Sequence, residues 1–206
     1  MVLSISAVSV IVTLPTSAAR SITFPGPASE LTSPNGLYTI KNVDQPVGNG
    51  NEWNHNLFFK KKGQRKESIL NPNNRVLSDA PGECSYNRSA EILWSPNSNA
   101  FALNDWMGSN VASAYLYHVR DLSHPIDLAD KVYDALKDKR DQSAIANSDH
   151  VYTFANKWIG PTVLEIKEAG HGSGIAFTFY YHFDLRTNSC KFIKRLPDED
   201  TQRDAN

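Results

Sequence analysis

The chain has 206 residues, of which 40% are hydrophobic and 21% charged, and its formal net charge is -1. These globular proportions exclude wholesale disorder, and the length suits one domain with a single substantial core. Near-neutral charge excludes a general attraction to nucleic acid or acidic lipid, so any partner must be chosen by local chemistry.

From Val2 to Leu14 the chain is almost wholly apolar or small, and Pro15, Thr16, Ser17, Ala18 and Ala19 follow as a helix break and a small-residue exit. This is the pattern of a signal peptide cleaved after Ala19, although no Lys or Arg precedes the apolar stretch. The competing reading is a buried strand rich in Val and Ile. The first reading makes 1–19 a signal peptide and the protein exported, to a periplasm or the exterior. The segment is short for a membrane span, and no later stretch approaches about 20 apolar residues. In an exported chain Cys84 and Cys190 are the pair able to close a disulfide, worth roughly 2–5 kcal/mol. In a cytosolic chain they would be two small hydrophobes. Neither has a second ligand at short spacing, and His118, His124, His150 and His182 show none either, so no metal or cofactor is expected.

Pro25, Gly26, Pro27 and Ser29 make 20–31 an extended lead-in, which leaves the domain at 32–196 and a polar tail at 197–206. Two similar turns then feed strands. Ser33, Pro34, Asn35 and Gly36 run into Leu37, Tyr38, Thr39 and Ile40, while Trp94, Ser95, Pro96, Asn97, Ser98 and Asn99 run into Ala100, Phe101, Ala102 and Leu103. Pro presets φ for the second turn position, and Asn and Gly tolerate the left-handed geometry that follows. Alternation between turn residues predicts strands at 37–43, 56–60, 68–70, 90–94, 100–105, 113–119, 151–154, 162–167, 175–183 and 191–195. One segment has a different period. Leu128, Val132 and Leu136, with Ala135 one position off, predict a single amphipathic helix over 127–145, opened by Pro125 and an Asp127 cap.

The Trp94, Ser95, Pro96, Asn97 element, its weaker copy at Ser33 to Gly36, and the Asp184, Leu185, Arg186, Thr187, Asn188 turn resemble the degenerate blades of TolB-like and WD-repeat β-propellers. A shorter copy of the last turn is Asp121, Leu122, Ser123, and a third unit is expected to open at Trp158, Ile159, Gly160, Pro161. The resemblance implies a mainly β fold of antiparallel, propeller-like hairpin sheets with one amphipathic helix. At about 40–45 residues per blade, 32–196 holds fewer than four blades, whereas closed propellers have about four to eight. A compact barrel or sandwich of propeller-like hairpins fits this length.

Candidate functional residues are few. Asn104, Asp105, Trp106, Met107, Gly108, Ser109 and Asn110 read as a polar, aromatic loop after a strand, where an exposed Trp106 would make contacts beside Asp105 and Asn110. Trp53 is a second aromatic candidate. Glu168, Ala169, Gly170, His171, Gly172, Ser173 and Gly174 read as a flexible hairpin turn around His171, without the Lys and helix start of a phosphate loop. Lys60, Lys61, Lys62, Gly63, Gln64, Arg65 and Lys66, the dense basic run, read as a solvated hairpin tip. The function this supports is an exported, non-enzymatic β module that binds a protein or envelope component through its loops, with no nucleic-acid partner. The alternative is a small hydrolase using Asp105, His171 or His182, which requires those three to line one pocket.

Overall fold

The computed structural model describes residues 20–23, 30–47, 52–70, 89–106, 111–172 and 175–196, and the elements below belong to these residues. In chain order the strands are β1 (Arg20–Thr23), β2 (Glu30–Thr32), β3 (Tyr38–Val47), β4 (Glu52–Lys61), β5 (Glu67–Ile69), β6 (Ser89–Trp94), β7 (Ala100–Trp106), β8 (Val111–His118) and β9 (Asp121–Asp127). Two helices follow, α1 (Leu128–Ala135) and α2 (Lys139–Ala146). The chain then continues through β10 (His150–Trp158), β11 (Val163–Gly172), β12 (Ile175–Asp184) and β13 (Ser189–Leu196). The protein is mainly β, as its turn spacing predicts.

Strands β2 to β5 form a four-stranded antiparallel meander. Strands β6 to β9 form a second and β10 to β13 a third. The second and third belong to one sheet, with β1 along the edge of β6. They join where Val111 and Ala112 of β8 lie parallel to Val151 and Tyr152 of β10. Farther along, β8 leaves β10 and pairs with β9. A parallel contact needs a long crossover, which the two helices supply. No closed barrel forms among the described residues; the three meanders each keep their own ladder.

The two Ser-Pro-Asn turns are the same structure built twice. Ser33 N–H donates to Tyr38 O at 2.8 Å, and Ser95 N–H to Ala100 O at 2.9 Å. Each Ser hydroxyl accepts from the N–H five residues on and donates to the Asn two residues on. Each Asn side chain in turn accepts from the N–H of Leu37 or Asn99. Gly36 and Ser98 fill the left-handed position, with φ of 67° and 57°. The carbonyls of Leu37 and Asn99 accept from Lys62 and Val119, at the far hairpin of each meander, and Thr162 O accepts from Leu185 in the same way. The third meander is thus a third copy with a shortened turn. The three carbonyls recur at near-equal intervals along the chain.

Alternate residues fill the spaces between meanders. Leu31, Ile40, Leu57, Phe59 and Leu70 of the first meander and its flank pack against Ile92, Trp94, Phe101, Leu103, Tyr115 and Tyr117 of the second. Rings pack through this layer, Phe101 lying tilted 4.9 Å from Trp94 and stacked 5.0 Å from Tyr117 and 6.0 Å from Phe59. The other face of the second meander, with Leu93, Ala102, Ala114 and Leu116, packs with Leu164, Ile166, Phe177, Phe179, Tyr181 and Phe183 of the third. The outer face of the first meander carries Glu67 paired with Lys41 at 2.8 Å and Lys60 at 3.5 Å. That of the third carries Glu165, with Lys157 at 3.5 Å and His182 at 3.8 Å.

The single expected helix is two. Leu128, Val132 and Leu136 do enter the core between the second and third meanders. The helix stops there because Asp138 begins another: its carboxylate accepts from the N–H groups of Arg140 and Asp141, as Asp127 does from Ala129 at the start of α1. An N-cap residue must leave helical dihedrals, so a competent cap inside an amphipathic run divides it. The expected lead-in is also more structured than its Pro and Gly content suggests, since β1 falls within it and β2 begins there.

Candidate functional site

Strand β7 continues through Trp106, so Asn104, Asp105 and Trp106 of the expected display loop are strand residues. Asn104 and Asp105 are buried strand residues, 1% and 5% exposed. Asn104 has a structural task. Its side chain donates to Ala155 O at 2.9 Å and accepts from Ala155 N–H at 2.8 Å, while also donating to Glu91 at 3.0 Å. Ala155 borders the bulge of β10, where ladder pairing shifts, and Asn104 satisfies both of its backbone groups. Asp105 pairs across the ladder with Ala90 and Ser113 and is buried there. Met107 to Asn110, including the candidate Asn110, lie outside the described residues.

Trp106 is half-buried and heads a run of aromatic contacts. Its ring lies 4.8 Å from Phe154, which stacks with Tyr152 at 6.1 Å and an interplanar angle of 6°. Tyr152 lies 5.9 Å from His171, whose ring is 4.7 Å from that of His150. Tyr152, Phe154 and His150 alternate along β10 with the buried Thr153 and Ala155. The result is a partly exposed strip of rings across β7, β10 and β11. Tyr152, Phe154 and His150 are absent from the sequence-based candidates, although an aromatic at every second strand position was a readable signal.

His171 belongs to strand β11, paired with His150 and Ala176, and is exposed; Glu168 to Gly172 of the expected flexible turn are strand, and Ser173 and Gly174 lie outside the described residues. Gly170 is inside the ladder for a packing reason. A methyl group there would come within 2.5 Å of the Phe177 ring and 2.8 Å of His150 O. His182 pairs with Glu165, six ladder positions from His171, a distance on the order of 20 Å. Asp105, His171 and His182 therefore do not meet in one pocket. Trp53 lies in β4 opposite Pro46, and its side chain is outside the described part of the structure.

Beneath the strip, on the inner face of β11, Glu168 is buried and accepts a hydrogen bond from Tyr181 Oη at 2.8 Å. Burial pushes its carboxyl up to about 7 against that bond, and burial with the adjacent Glu168 pushes the Tyr181 hydroxyl up. Cys190 carries a free thiol that burial pushes up to about 12, so it stays protonated and is a poor nucleophile. Cys84, its expected disulfide partner, lies outside the described residues. Among the described residues no group of three or more His, Cys, Asp or Glu side chains is placed to hold a metal ion.

No known protein family matches the chain, nor does any curated protein or solved structure. No helix of the described residues is long and apolar enough to cross a membrane.

Proposed function

We propose that this chain is an exported, non-enzymatic binding module built from three propeller-type blades, which holds a protein or envelope component on the aromatic strip headed by Trp106. The observation that carries this reading is the unbroken ring contact from Trp106 through Phe154, Tyr152 and His171 to His150 on a partly exposed face. Aromatic side chains bury much area for little conformational entropy, and Trp and Tyr are enriched at the energetic centres of interfaces. The blade reading is supported by the threefold recurrence of the carbonyl-to-hairpin bond at Leu37, Asn99 and Thr162 and by the face-to-face packing of successive meanders. Export rests on the apolar start and its small-residue exit at Ala19.

The deciding experiment compares Trp106→Ala and Phe154→Ala with the parent chain in affinity capture from an envelope extract, alongside thermal melting. Each variant is expected to lose roughly 2 kcal/mol or more of capture energy, the scale of an interface hot spot, with a much smaller change in stability. Unchanged capture with a large drop in melting temperature would reduce the strip to sheet packing. Mass spectrometry of the mature protein tests export separately, with an N-terminus at Arg20 expected; an intact Met1 on protein from the cell interior would overturn it.

A further inference from the structure

A concave surface lies between the hairpin tips of the first two meanders. The hairpin joining β4 to β5 and the turn joining β8 to β9 occupy equivalent places in their meanders, tied by Lys62 N–H to Leu37 O and by Val119 N–H to Asn99 O. Because the meanders pack face to face, these two tips stand side by side. Between them is a cleft of about 760 Å³ with Tyr38 and Phe59 in its lining. Lys61 and Lys66 line it from the first hairpin and Arg120 from the second. All three side chains are exposed, and none forms an ion pair with a described residue.

One acid of the described lining, Asp121, stays ionised beside these cations. Asp121 accepts from Ser123 N–H and Oγ and lies 3.1 Å from His124 Nδ1. The Ser123 hydroxyl, and then His124, hold its carboxyl below the usual range. Among the described lining residues three cations thus outnumber one carboxylate, which the hydrogen bonds from Ser123 hold on its own turn. Arg presents a planar fork that matches phosphate oxygens in pairs, and Lys adds compact point charge. The cleft volume falls within the range of small-molecule sites, roughly 300–1,000 Å³, which favours a compact ligand over an extended polymer. Gly63, with φ of 81°, turns the chain between Lys61 and Lys66, and both lysines line the same space.

We propose that this cleft binds a small ligand carrying two or more phosphate groups, with Arg120 and the Lys61–Lys66 pair gripping it from opposite hairpins. The proposal does not depend on the aromatic strip. Calorimetric titration of the mature chain with inorganic tripolyphosphate at about 0.1 M salt tests it, that being a screening level at which loose surface attraction is largely suppressed. Saturable binding is expected, weakened about tenfold or more by Arg120→Ala and likewise by Lys61→Ala with Lys66→Ala. Removing Lys131 and Lys139 from the helices, with Lys137 between them, is expected to leave it within about twofold, since those charges lie elsewhere. Arg120→Lys, which keeps the charge and the fold but loses the fork, is expected to fall between parent and Arg120→Ala. Absence of saturable binding, equal weakening by the helix variant, or binding of heparin without binding of tripolyphosphate would each overturn the proposal. Citrate, tested in the same way, separates phosphate from carboxylate recognition; citrate binding as tightly would overturn the phosphate assignment.

Discussion

Asn35 and Ser98 lie 63 residues apart, yet the Asn35 N–H donates to Ser98 Oγ at 3.1 Å and joins the two matching turns. Ser98 is fully buried and holds a φ of 57°, a conformation that costs a side-chain-bearing residue roughly 1 kcal/mol. The hydroxyl offsets that cost by bonding across the meanders.

Substitutions at Ser98 separate the two contributions. Ser98→Gly loses the hydrogen bond but relieves the left-handed strain, so it is expected to be near neutral; Ser98→Ala loses the bond and keeps the strain, costing about 1 kcal/mol more than Gly. Urea denaturation of the pair measures the difference. Equal stability of the two variants would show that strain at Ser98 is negligible.

Asn104 is expected to matter for stability, not for binding. Asn104→Ala leaves both backbone groups of Ala155 without their side-chain partner in a buried place, at roughly 2–4 kcal/mol. Hydrogen exchange of the Ala155 amide should accelerate well before global unfolding. Protection of that amide unchanged in the variant would contradict the pinning role.

The Glu168 carboxyl is raised to about 7 in the folded chain from an ordinary 4.5, because burial outweighs the bond from Tyr181. Between those values the folded chain retains a proton that the unfolded chain releases, so stability falls as pH rises through this window. Glu168→Gln keeps an acceptor for Tyr181 without a charge. It is expected to exceed the parent by about 2–3 kcal/mol at pH 8 and to match it near pH 4.5. A gain that is the same at both pH values would rule out ionisation as its source.

Gly170→Ala is expected to cost roughly 1–3 kcal/mol, because the added methyl group meets the Phe177 ring and the His150 carbonyl. Gly170 also illustrates where sequence reading stops. The Ser-Pro-Asn turns and most strands were legible, since turn residues and period-two alternation are local signals. Gly170 reads as a turn residue by the same logic, yet it is a strand residue made small by a ring from β12. The third repeat was only half legible, because its turn at Ile159 to Thr162 lacks the Ser and Asn that bond its backbone in the other two. The break at Asp138 is hidden by the apolar spacing, which reads on as one helix over 127–145. The aromatic strip and the cationic cleft each join segments distant in sequence, and no local pattern announces such a meeting.

The outer faces of the first and third meanders each carry a glutamate flanked by two basic side chains, Glu67 with Lys41 and Lys60, and Glu165 with Lys157 and His182. A fourth sheet laid flat on either face would strip water from these groups, and desolvating an ion cluster commonly costs more than the pairing returns. The stack therefore carries its own terminators: growth by further sheets, or by end-to-end self-association, is discouraged at both ends. A partner that covers only the rings near Trp106 escapes that penalty.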